Sequence, residues 1–60
     1  MQDPVSTETT VLHEIEEAEL RLHRLYASRD RVSADERMVV EQRIRETKAE
    51  IEELRARLHP

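Results

Sequence analysis

The chain contains no glycine, no cysteine, no phenylalanine and no tryptophan, and Tyr26 is its one aromatic residue of the Phe, Trp and Tyr class. Without glycine there is no phosphate-cradling loop, no dinucleotide-binding fingerprint, no EF-hand turn and no glycine-containing hairpin turn. Without cysteine there is no disulfide, zinc knuckle, iron–sulfur ligand or thiol nucleophile, and nothing here requires oxidising conditions. A single aromatic ring leaves no stacking platform for single-stranded nucleic acid. No apolar run approaches the ~18–20 residues of a transmembrane span, and none has the form of a secretory core segment. The chain is therefore expected to be soluble and cytoplasmic, with no membrane association.

What remains is helix-forming material. Of 60 residues, 37% are apolar and 40% charged, for a formal net charge of −4. That composition allows one small domain with a thin core, and its acidic balance argues against general nucleic-acid binding.

Residues 1–6 carry no periodicity. They are expected to form a disordered lead-in, in part a remnant added in cloning, with the native chain beginning near Val5. Ser6, Thr7, Thr9 and Thr10 follow as a hydroxyl-rich stretch, with Ser6 or Thr7 the expected helix cap. Val11, Ile15, Ala18, Leu22 and Leu25 then recur at steps of four and three, continued by Arg29 and Val32. A second series, Val40, Ile44, Thr47, Ile51, Leu54 and Leu58, has the same spacing. This is the heptad seam of a helix turned toward a partner helix. The spacing predicts one helix over about 7–29, a turn over about 30–33 and a second helix over about 34–58, making residues 7–60 a single helical hairpin.

Ser33-x-x-Glu36 fits a capping box at the start of the second helix, and Asp35 and Glu36 place negative charge on its positive first turn. The seam phase also breaks here. A continuous helix would absorb the break as a stutter through 32, 36, 40 and 44, so one long helix in a parallel coiled coil is the alternative reading.

Folding back sets a register. Leu22 with Val40, Ala18 with Ile44, Ile15 with Thr47 and Val11 with Ile51 all have residue numbers summing to 62, which centres the turn at residue 31. In that register Leu54 faces Glu8 and Leu58 faces Pro4, so two seam leucines lack apolar partners. Small scaffolds bury barely enough to offset the entropy of ordering them. Leu12, Leu20, Tyr26, Met38 and Val39 lie outside the seams as candidates for contact with a partner. Ala34, Ala49 and Ala56 share the back of the second helix with Met38. The expected fold is therefore all-α, an antiparallel two-helix hairpin dimerising into a four-helix bundle. In length and layout, though in no motif, this resembles the Rop type of four-helix bundle, and no RNA binding carries over from layout alone.

Charge is uneven. The end away from the turn is acidic, while Arg24, Arg29, Arg31 and Arg37 cluster in sequence around the turn. Pairs such as Glu17 with Arg21, Glu41 with Arg45 and Glu53 with Arg57 sit four apart in the favourable order, as expected of solvated helix faces.

Signals for chemistry are weak. His13 with Glu17, and Glu19 with His23, place a nitrogen and a carboxylate on one helical face. Neither matches the two-histidine zinc motif or the Glu-x-x-His of di-iron bundles, and His59 suits a helix C-terminus. Ser28 and Ser33 have no histidine close enough to act as base. No metal, cofactor or catalytic residue is expected. The seam interruptions are Thr47, which either fixes register or bonds its own preceding turn, and Arg29, expected at a fraying end.

The leading functional expectation is a non-catalytic protein–protein interaction or oligomerisation module acting through helix–helix packing, a homodimer with a further protein partner. The alternative is a small nucleic-acid-binding regulator using Arg24, Arg29, Arg31 and Arg37.

Overall fold

A computed structural model describes the backbone of residues 4–58 and the side chains of residues 7–58. It contains two helices, α1 (Pro4–Arg29) and α2 (Ala34–Leu58), packed against each other as a hairpin, with no strand among the described residues. No helix is long and apolar enough to cross a membrane, among the described residues.

α1 opens earlier than expected. It begins at Pro4, so residues 4–6 are helical and Ser6 and Thr7 lie inside the helix, not at its cap. Proline suits a first helical position because its ring presets φ and the amide hydrogen it lacks has no partner there. The expected roles of residues 1–3 and His59 lie outside the described residues.

This chain is a hairpin and not the continuous helix of the alternative reading, because it leaves α1 after Arg29 and turns over residues 30–33. The Arg31 N–H donates to the Ser28 carbonyl at 2.9 Å. Glu36 N–H donates to Ser33 Oγ at 3.4 Å, and Arg37 N–H to the Ser33 carbonyl at 2.8 Å. Ser33 thus supplies the hydroxyl half of the capping box. No residue among those described has positive φ, so this turn needs no glycine.

Both apolar series face inward. Val11, Ile15, Ala18, Ile44, Ile51 and Leu54 are buried, while Leu22, Leu25, Val40, Thr47 and Leu58 are half-buried. The main cluster joins Val11, Ile15 and Ala18 to Ile51 and Leu54, with Leu22 and Leu58 packed against it. It lies at the end of the hairpin away from the turn. The result is a rod of 48 × 16 × 16 Å, with a radius of gyration of 14.4 Å against roughly 10 Å for a compact domain of this length.

The register differs from the expected one. Cross-helix contacts join Arg21 to Glu50, Arg55 to Glu19 and Lys48 to Tyr26, with residue numbers summing to 71, 74 and 74. The seam layers consistent with these contacts pair Val11 with Leu58, Ile15 with Leu54, Ala18 with Ile51, Leu22 with Thr47, and Leu25 with Ile44. Their common sum is 69, one heptad from 62. Ile44 accordingly stands outside the cluster that holds Ala18, its expected partner.

Two physical causes produce the shift. Side chains lean toward the N-terminus of their own helix, so in an antiparallel pair they meet at higher residue sums than the backbones do. Sliding by one heptad also covers Leu54 and Leu58, which the shorter register strands. The slide leaves α2 projecting past the end of α1, and residues 33–39 are all exposed.

Candidate helix-pairing interface

The seam is flanked on each side by a row of charged residues. Numbering each seam as positions a and d of a heptad, Arg21 and Glu50 both fall at g, and Glu19 and Arg55 both at e. Arg21 Nη2 lies 3.2 Å from Glu50 Oε2, and Arg55 Nη2 lies 3.1 Å from Glu19 Oε1. Glu14 and Arg57, one step further along the g row, border the same groove. These pairs are half-exposed, and each contributes under about 1 kcal/mol.

Their value lies in discrimination. In the register expected from the seam alone, the g row would oppose Glu14 to Glu50 and Arg21 to Arg43. Like charges there replace attraction with repulsion, the usual means by which flanking positions choose alignment. Reading the seam without its flanks missed Glu14, Glu19, Arg21, Glu50, Arg55 and Arg57. Testing each candidate offset for charge complementarity would have found them.

Tyr26, at e, was expected to face outward. It is instead half-buried, with Arg29 Cζ and Lys48 Nζ each 5.5 Å from the ring centroid. Those distances are in the range of cation–π attraction, so one ring ties the last turn of α1 to the middle of α2. Arg29 is thereby engaged and half-buried, not a fraying end. Thr47 Oγ1 donates to the Arg43 carbonyl at 2.8 Å, the bond to its own preceding turn.

The other outward candidates are exposed but scattered. Leu12 is 51% exposed, Leu20 50%, Met38 72% and Val39 55%. Leu12 shares the e flank with Tyr26, and Leu20 lies on the back of α1. Met38 lies on the back of α2, and Val39 borders a groove with Leu25 and Thr47 on the g side. Single exposed apolar side chains of this kind are ordinary, except that Met38 and Val39 both belong to the projecting part of α2.

The four arginines of the nucleic-acid reading do not form one patch. Arg24 borders the g-side groove, whereas Arg29 stacks on Tyr26 on the e side. Arg31 and Arg37 are exposed at the turn. His13 Nε2 lies 3.0 Å from Glu17 Oε1 on the surface, a local i,i+4 pair. Among the described residues no three histidine or acidic side chains converge as a metal site, and no buried side-chain nitrogen or oxygen lacks a partner. No family model, curated protein or solved structure matches this chain.

Proposed function

We propose that the chain is a small non-catalytic interaction module that works by helix–helix packing, and that its first partner is a second copy of itself. The observation that carries this is surface. The hairpin exposes 5092 Å² for a mass of 7.1 kDa, roughly 1,000 Å² more than a compact monomer of that mass exposes. A rod only two helices thick cannot shield the outer edges of its seam, and half-buried Leu22, Leu25, Val40 and Leu58 are the consequence.

Two geometries would join two copies. Two hairpins lying side by side make a four-helix bundle, in which each helix needs a third apolar position per heptad beside a and d. Here the e row offers Leu12 and Tyr26 in α1 but Glu41, Lys48 and Arg55 in α2, which supports the bundle poorly. Pairing along the existing seam needs no third row.

Sedimentation equilibrium from low micromolar to near-millimolar concentration tests the reading. The expected result is a species of twice the chain mass that gives way to monomer on dilution. A folded monomer throughout the range would overturn self-association and leave the exposed edges to a different partner.

A further inference from the structure

We infer that two copies associate by exchanging helices: the 30–33 turn straightens, each chain becomes one helix, and α1 of each pairs antiparallel with α2 of the other. This rests on the self-association proposed above and specifies how it occurs.

Three observations carry it. The first is the turn itself, which no left-handed residue holds bent and which contains neither glycine nor proline. Its bonds are the Arg31 N–H to the Ser28 carbonyl, the Arg37 N–H to the Ser33 carbonyl, which a continuous helix would keep, and the 3.4 Å cap from Ser33. The second is seam spacing that a single helix can carry across the turn as a stutter, from Val32 in steps of four through Glu36 to Val40 and Ile44. A helix can follow that stutter with a local adjustment of its winding.

The third is the projecting start of α2. Residues 33–39 are exposed because α1 ends before it can cover them. In the exchanged pair the sum of 69 is kept, so every layer and every flanking ion pair of the hairpin forms again between chains. The same rule lays residues 30–35 of one copy alongside residues 34–39 of the other. That fills the stretch of seam the hairpin leaves open and brings a second helix beside Val39, which is 55% exposed. The juxtaposed stretches carry charges of both signs, with Arg31 and Arg37 against Asp30, Asp35 and Glu36. Exchange at a short hinge is a familiar route from monomer to dimer because it reuses contacts the monomer already makes.

The absence of native cysteine makes the test direct. Glu16→Cys and Glu53→Cys, both exposed, take a pair of spin labels on one chain, diluted into an excess of unlabelled protein. In the hairpin these positions lie at the same level, on the outer faces of a rod 16 Å across. In an exchanged chain they are separated by 37 residues of helix, or about 55 Å at 1.5 Å per residue. The expected result is a short distance in the monomer fraction and about 55 Å in the dimer fraction. Ser33→Ala, which removes the cap, should raise the dimer fraction several-fold, and Val32→Gly, which disfavours helix through the hinge, should lower it. A dimer showing only the short distance overturns exchange while leaving self-association standing. Monomer at every concentration overturns both.

Discussion

Ala18 has no exposed surface, and at this position size matters more than hydrophobicity. It faces Ile51 at the centre of the main cluster, where a methyl lets the two helices come close. Ala18→Leu is expected to cost about 1–3 kcal/mol through overpacking, and Ile51→Ala about 2–5 kcal/mol through the cavity it opens. Urea titration of the helical circular dichroism would show both losses, and an unchanged midpoint for either would mean that the cluster is not packed as described. Thr47 behaves differently. Its hydroxyl is satisfied within α2, so Thr47→Val removes no cross-helix bond and adds apolar surface opposite Leu22. It should be neutral or stabilising by up to ~1 kcal/mol; a larger loss would assign the hydroxyl a part in setting register.

At the scale of the element, register is decided by weak interactions acting in a row. Arg21→Glu should cost more than the pair it breaks, because it places a third acid beside Glu50 and Glu17. Adding Glu50→Arg should recover part of the loss, and a double-mutant cycle should give a coupling of about 0.2–1 kcal/mol that fades with salt. Zero coupling at low ionic strength would remove the flanks from the account of alignment. Two helices, their seam and the turn were all legible in the sequence, because heptad spacing and the Ser33 cap are local signals. The register was not, because equal spacing makes every heptad offset equivalent to the seam. Only Glu14, Arg21, Glu50 and Arg57, read across the chain, break that degeneracy. Tyr26 was misplaced for a related reason: beside a seam, a ring lies inward or outward according to what the opposite helix offers, and Lys48 became its neighbour only in the shifted register. The start of α1 was read late because hydroxyl residues resemble caps wherever they stand.

For the whole molecule, the exposed apolar residues divide into two kinds. Leu20 stands alone on the back of α1, and Leu20→Glu is expected to leave the sedimentation mass unchanged. Val39 belongs to the projection of α2, and Val39→Glu should reduce the dimer fraction; equal behaviour of the two variants would mean that the projection is not part of the contact. The location of the main cluster has a further effect, on how the chain folds. Layers near the turn close short loops but, Ile44 apart, hold half-buried residues, with Arg29 in register with Val40. Ala18 with Ile51 and Ile15 with Leu54 are the best buried, yet they join residues 33 and 39 apart in sequence. Zipping outward from the turn is therefore uphill for most of its course, because loop-closure entropy is spent before the strongest contacts form. The hairpin should fold in one cooperative step with a late transition state, and its open end, which in most helical hairpins is the first part to fray, should be the part that opens last.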